Sequence, residues 1–160
     1  MLKEVEIGLD AVRKAARVCQ TVQRQLVSAD SIAKKDKSPV TIADFAAQAI
    51  VADILASSFP EIPMVGEEDS KTLRDNSALR QKMMAALNEV LPDMTGEQAL
   101  TAIDRGVYDG GPRGRHWTLD PIDGTKGFLR GDQYAIALAL IEDGEVVLGI
   151  LGCPNLNYDS

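Results

Sequence analysis

Acidic residues in two separate parts of the sequence have the types and spacing of a metal site. The run Gly-Glu-Glu-Asp at 66–69 follows a short apolar segment, and Asp-Pro-Ile-Asp-Gly-Thr at 120–125 follows a predicted strand. Carboxylate oxygens are the ligands that magnesium and manganese prefer, and the chain's single histidine excludes the multi-histidine sites typical of zinc. We therefore predict Glu67, Asp120 and Asp123 as metal ligands, completed by a backbone carbonyl of the turn and by water.

The chemistry that such a site supports is hydrolysis of a phosphate ester. Two neighbouring divalent ions can bind phosphate oxygens, activate a water molecule and neutralise the leaving oxygen. Each element also has an ordinary structural interpretation when taken alone: the run 66–69 is a solvated acidic loop, Asp44 is a helix cap and 120–124 is a tight turn. The position of 120–125 directly after a strand favours the functional interpretation.

Other catalytic classes fit the sequence less well. His116 has no nucleophile elbow near it, which argues against a Ser-His-Asp site, and we expect it to be a strand residue. Phosphatases with an aspartyl nucleophile need Asp-x-Asp, whereas Asp120 and Asp123 are three residues apart. The glycine-rich segment 105–115 either supplies cations to a polyanionic substrate or forms a flexible surface loop, and its cations are Arg105, Arg113 and Arg115.

The remaining pattern predicts the elements that position these residues. A long amphipathic helix is predicted over 2–26, with a buried stripe of Leu2, Val5, Leu9, Val12, Ala16, Cys19, Val22 and Leu26. An exposed loop over 34–39 ends at Pro39, and a second helix, capped by Thr41, extends to residue 59. Further predictions are strands over 62–65, 116–119, 134–141 and 146–151, and helices over 77–91 and 95–104.

The last two strands are predicted to form a hairpin whose first strand is apolar on both faces. Alanines at 135, 137 and 139 alternate with Ile136, Leu138 and Leu140. A strand of this kind is buried on both sides. We therefore expect helices on both faces of the sheet.

Composition limits the partners and the compartment. The 160 residues are 45% hydrophobic and 26% charged, which is typical of one globular domain. The net charge of −7 argues against nucleic acid and anionic membranes as partners. No signal peptide or membrane-length apolar stretch is evident, and two distant cysteines, Cys19 and Cys153, do not form a disulfide framework. We expect a soluble cytoplasmic protein in which Cys153 is a core thiol.

Taken together, the motifs resemble those of the lithium-sensitive, magnesium-dependent phosphatases related to inositol monophosphatase. Residues 120–125 with 66–68 upstream carry this resemblance. Within the superfamily the sequence is most similar to the 3′(2′),5′-bisphosphate nucleotidases. That closer similarity rests on segments 36–41, 44–48, 110–115, 125–131 and 152–156, so it covers nearly all of the chain.

The resemblance implies a fold and a set of residue roles. The fold is a layered α-β-α-β-α sandwich of the sugar-phosphatase kind, α+β or α/β in class, of which this chain covers the N-terminal α+β portion. Magnesium occupies two or more sites, lithium inhibits, and the ligands are Glu67, Asp120, the carbonyl of Ile122 and Asp123. Asp44 and Thr125 position and deprotonate the attacking water. Substrate contacts are implied for Gly124, Thr125 and Lys126.

The implied reaction removes the 3′-phosphate of adenosine 3′,5′-bisphosphate to give AMP, within sulfur metabolism. The partner is thus a small nucleotide bisphosphate, and the oligomeric state is open. Such enzymes are about twice as long, so we expect residues 1–160 to form a truncated N-terminal metal-binding domain that lacks a C-terminal domain and one metal ligand. Two alternatives stay open: an inositol polyphosphate 1-phosphatase, and a non-catalytic metal-binding fragment.

Overall fold

The computed structural model describes residues 1–28 and 38–157. The elements in chain order are α1 (Leu2–Ser28), α2 (Ser38–Ser58), β1 (Met64–Val65), α3 (Lys71–Asp75), α4 (Ser77–Asn88), α5 (Gly96–Asp104), β2 (Arg115–Asp123), α6 (Thr125–Arg130), β3 (Ala135–Glu142) and β4 (Glu145–Gly152). All the predicted elements are present. The short helices α3 and α6 were not predicted.

The long N-terminal helix is confirmed, but its buried stripe is displaced from the predicted one. Val12, Cys19 and Val22 are buried as expected, whereas Leu2 is 82% exposed. The most deeply buried positions are small residues such as Ala11 and Ala15. Small side chains allow α1 to pack closely against α2. The face of α1 with small residues is therefore buried more deeply than the face with large apolar side chains.

The second helix begins earlier than predicted. It starts at Ser38 with Pro39 in its first turn, so Thr41 lies inside the helix and is not its cap. Proline is tolerated at the start of a helix because its missing N–H has no partner there and its φ is already helical. Of the predicted loop over 34–39, residues 38 and 39 belong to α2, and residues 34–37 lie outside the described residues.

By length and composition alone, α2 is apolar enough to cross a membrane, so the prediction that the sequence has no apolar stretch of membrane length is wrong. Its apolar character is explained by burial, because α2 contacts α1, α4, α5 and β2. The helix is therefore the centre of the core, and Gln48 is a fully buried polar side chain within it.

The four strands form one sheet in the order β1-β2-β3-β4. β1 and β2 are parallel, and the other neighbours are antiparallel. The predicted hairpin is confirmed, and its turn contains Asp143 at φ 50° and Gly144 at φ 84°. Positive φ at both central residues matches the right-handed twist of a two-residue hairpin.

Within the described part of the chain, helices cover one face of the sheet only, so the prediction of helices on both faces is wrong. Trp117, Leu119 and Leu138 point to the α1 and α2 side and are buried. The opposite face carries the alanines of β3, which are partly exposed, and Leu151, which is 69% exposed. Alternation of small and large apolar residues shows which side is packed more deeply, but it does not show that both sides are covered.

Candidate metal centre

Glu67 and Asp120 lie side by side at the carboxyl ends of two parallel strands. Val65 of β1 is opposite Thr118 of β2, and Glu67 lies in a bend two residues beyond Val65. The charge of Asp120 raises the pKa of Glu67, so the two carboxylates are near one another. Asp120 shares a sheet face with Thr118, and both line a cleft of about 390 Å³ on the uncovered side. The two predicted acidic segments are therefore neighbours in the fold.

The motif at 120–125 is the end of a strand rather than a turn after one. β2 continues to Asp123, with an irregular register between Asp120 and Asp123 where it pairs with β3. The chain reverses only at Gly124, which has φ 95° and ψ 49°. This left-handed conformation favours glycine because a Cβ would crowd the backbone, and α6 begins at the next residue.

Asp44 approaches the same region from α2. Burial first, and then the negative charges of Glu68, Glu67 and Asp120, raise the pKa of its carboxyl to about 8. Its position in the second turn of α2 rules out the helix-cap interpretation, since the helix begins six residues earlier. Asp44 is thus a member of the acidic cluster.

The other carboxylates of the cluster also hold their protons more tightly than usual. Partial burial raises the pKa of Glu67, and the charges of Asp120 and Asp123 add to this effect. Burial and the charge of Asp123 raise the pKa of Asp120, while a hydrogen bond from the backbone N–H of Ile122 opposes the rise. These groups are close enough to repel one another.

The donor chemistry of the cluster fits a hard divalent cation. The buried Oδ1 of Asp120 has no hydrogen-bond partner, and a positive ion would satisfy it and relieve the repulsion from Glu67 and Asp123. As the side chains stand, no three His, Cys, Asp or Glu residues among 1–28 and 38–157 are close enough together to hold an ion. The ligand set Glu67, Asp120, Asp123 and the Ile122 carbonyl stays a prediction.

The residues assigned to water and substrate lie next to this cluster. Gly124, Thr125 and Lys126 are exposed at the start of α6, which contacts α2. In the described residues no hydrogen bond joins Asp44 to Thr125, whose pairing therefore also stays a prediction.

The arginines of the glycine-rich segment do not all approach the cluster. Arg115 is at the opposite end of β2 from Asp120, five residues or about 17 Å away. It pairs with Glu4 at 3.2 Å and with Glu142 at 3.5 Å. Arg115 therefore joins α1 to the sheet and is not available to a substrate at the acidic end.

Two other sequence interpretations are settled by burial. His116 is 5% exposed within β2 and its ring contacts Tyr108, which fits its assignment as a strand residue. Cys153 is an exposed free thiol, so the expectation of a core thiol is wrong, and Cys19 is the buried one. Cys153 follows the last residue of β4, which among residues 1–28 and 38–157 has a neighbouring strand on one side only and is therefore an edge strand.

Sequence reasoning did not assign a role to the residues that anchor the acidic loop. Gln48 bonds to the backbone of Glu67 and Glu68, and Asp104 accepts hydrogen bonds from the backbone and the hydroxyl of Ser70 at 2.8 and 2.6 Å. A single glutamine inside the apolar segment 45–52 of α2 is the signal that could have identified Gln48, because a buried amide requires partners.

Comparison with known proteins shows which proteins the chain is similar to. The chain is 48% identical to a 3′(2′),5′-bisphosphate nucleotidase of Schizosaccharomyces pombe, over 98% of this chain and 48% of the relative. It is 47% identical to 3′(2′),5′-bisphosphate nucleotidase 1 of Arabidopsis thaliana, over 96% of this chain and 47% of that protein. The chain thus spans about half the length of these curated relatives.

Solved structures show the same fold at low sequence identity. Inositol monophosphatase II of Staphylococcus aureus superposes with a TM-score of 0.59 at 17% identity, covering 94% of this chain and 42% of that one. CysQ of Bacteroides thetaiotaomicron gives 0.56 at 21% identity, covering 95% and 42%. The predicted layered α/β class is confirmed. The model of the inositol monophosphatase family matches residues 2–159, and the chain belongs to that family.

Proposed function

We propose that this chain carries the metal-binding and water-activating part of a magnesium-dependent phosphatase that removes the 3′-phosphate of adenosine 3′,5′-bisphosphate. The observation that carries this proposal is the 47–48% identity, over nearly the whole chain, to proteins named as 3′(2′),5′-bisphosphate nucleotidases. The convergence of Asp44, Glu67 and Asp120 in one acidic cluster supports it.

In this proposal the cluster has two tasks. Glu67, Asp120, Asp123 and the carbonyl of Ile122 hold magnesium, which when bound neutralises phosphate charge and lowers the pKa of water. Asp44 accepts a hydrogen bond from the Thr125 hydroxyl and acts as the base for the attacking water.

The exposed backbone and side chains at the start of α6 face the substrate. Gly124 turns the chain, and Thr125 and Lys126 follow it in the exposed first turn, where they can contact a phosphate. Lys126 supplies a positive charge beside an otherwise acidic surface, which favours an anionic ligand.

Three further properties belong to the proposal. Lithium inhibits the reaction, the reaction belongs to sulfur metabolism, and the protein is cytoplasmic. The free thiols of Cys19 and Cys153 support a reducing compartment.

The test is a chimera in which residues 1–157 replace the matching half of the S. pombe relative. We expect magnesium-dependent phosphate release from adenosine 3′,5′-bisphosphate, and little release from an inositol bisphosphate. Asp123→Asn should reduce turnover to below about one hundredth, because a ligand is lost. Asp53→Asn, also a loss of one carboxylate but on the outer part of α2, is the matched control and should retain turnover.

Two results would contradict the proposal. Preference for the inositol bisphosphate would assign the chain to the inositol polyphosphate phosphatases instead. A chimera that folds and binds manganese but releases no phosphate would indicate a non-catalytic metal-binding module.

A further inference from the structure

The amide of Gln48 makes all the hydrogen bonds that it can. Its Oε1 accepts from the backbone N–H of Glu67 at 3.2 Å and of Glu68 at 3.0 Å. Its Nε2 donates to the carbonyls of Glu68 and Ile103, both at 2.8 Å. A glutamine amide has two acceptor positions and two donors, so every one of them is used. The side chain is fully buried.

Two glycines leave the space that this amide fills. A Cβ at Gly66 would lie 2.8 Å from the Gln48 amide, and one at Gly106 would lie 2.6 Å from Nε2 and 3.1 Å from the backbone of Gly66. Gly66 also donates its N–H to the Gly106 carbonyl at 2.9 Å. Neither glycine has the positive φ that would explain it by backbone conformation. Their small size is therefore required by the approach of Gln48 to the acidic loop.

The hydrogen bonds of Gln48 connect α2 to the acidic loop that contains Glu67. Gln48 is four residues after Asp44 on α2, so the two side chains leave the same face of the helix. The amide holds the backbone of Glu67 itself, at the point where the chain leaves β1 beside β2. The helix that presents Asp44 is thereby tied directly to the loop that presents Glu67.

We propose that Gln48 is a positioning residue that fixes Glu67 opposite Asp120 for cation binding. This inference rests on the proposed role of Glu67 as a metal ligand. A side chain that only stabilised the fold would contribute to the free energy of unfolding and leave cation affinity unchanged. A positioning residue changes the affinity as well, because loss of an outer contact to a ligand typically costs about 10–100-fold in metal affinity.

The experiment compares manganese binding by the 160-residue chain and its Gln48→Met variant, using calorimetry and electron paramagnetic resonance. Methionine has a similar shape but neither donates nor accepts these bonds. We expect affinity to fall about tenfold or more, and the amide hydrogens of Glu67 and Glu68 to exchange faster with solvent. Gln23→Met is the matched control: Gln23 is 6% exposed and donates to the Phe128 carbonyl at 3.0 Å, so the same substitution should leave manganese affinity unchanged.

A second pair of variants keeps the test valid if Gln48→Met does not fold. Gly106→Ala retains the amide but displaces it, and should also weaken manganese binding. Gly96→Ala adds the same methyl group where no atom lies within 4 Å, and should not. If the unaltered chain bound no manganese, the proposed metal site would fail. If it bound manganese and the Gln48 and Gly106 variants bound it equally well, the positioning role alone would be overturned.

Discussion

Replacing Asp44 by asparagine should make the metal-free protein more stable, and by more at high pH than at low pH. In the folded chain the pKa of Asp44 is raised from 3.8 to about 8, chiefly by burial. The unfolded chain releases this proton near pH 4, so unfolding is accompanied by proton release between pH 4 and 8. Stability of the unaltered protein therefore falls as pH rises through this range.

The size of the effect follows from the pKa. Each pH unit between the two pKa values is worth up to about 1.4 kcal/mol, which gives an upper limit of about 4 kcal/mol between pH 5 and pH 8. Asp44 is partly exposed, and screening by solvent reduces this to about 2 kcal/mol. Asparagine has the same shape and no charge. The stability advantage of Asp44→Asn should thus grow by about 2 kcal/mol, or about 4–8 °C in Tm, over this range.

Urea unfolding in EDTA at pH 5, 6, 7 and 8 measures this difference. Asp53→Asn removes a carboxylate from the same helix, away from the acidic cluster, and serves as the control for loss of charge alone. A stability difference between Asp44→Asn and the unaltered protein that stays constant from pH 5 to pH 8 would refute the reasoning, because Asp44 would then lose its proton below this range in both states.

Three other expectations test the fold. Ellman's reagent should modify the exposed Cys153 in the native protein and reach Cys19 only in urea. Cys19 is buried, and this burial, with a smaller effect from the charge of Asp44, raises the pKa of its thiol. Equal rates for both thiols would contradict the packing of α1. Thr95→Ala should lower the free energy of unfolding by about 1 kcal/mol in urea titrations, since it removes the capping box of α5, and an unchanged midpoint would show that the box contributes nothing. Leu138→Ala should lower the free energy of unfolding by about 3 kcal/mol and Leu151→Ala by less than about 0.5 kcal/mol, because Leu138 is 2% exposed and Leu151 is 69% exposed. Similar losses for the two variants would mean that the sheet is covered on both faces.

Local signals in the sequence predicted most of the elements. The capping box of Thr95 and Gln98 is present in the structure with both of its hydrogen bonds. The hairpin is predicted to within two residues at each end because its turn residues and strand pattern act over a few positions. These features depend on neighbours in sequence, which a sequence analysis can read directly.

The errors arise where tertiary contacts decide the outcome. The segment Asp-Pro-Ile-Asp contains three turn-forming residues, yet it remains in β2 because β3 pairs with it on both sides of an irregular register. Cys153 is predicted to be a core thiol, but it follows an edge strand and is exposed. Taken alone, Asp44 is predicted to be a helix cap, and only the resemblance to a phosphatase family indicates its place in the cluster. Its proximity to Glu67 depends on the packing of α2 against the sheet, which spacing does not encode.

The pairing of β1 with β2 consists of two residue pairs only, Met64 with Trp117 and Val65 with Thr118. Side chains alternate between faces along a strand, so a slip of one residue would turn Val65 away from the face of Thr118 and would shift Glu67, in the bend that follows β1, by one residue relative to Asp120. Strands pair in steps of whole residues, so the alignment of the two carboxylates has no intermediate register. Substitutions around residues 63–66 should therefore divide into those that leave cation affinity intact and those that abolish it, with few graded effects between.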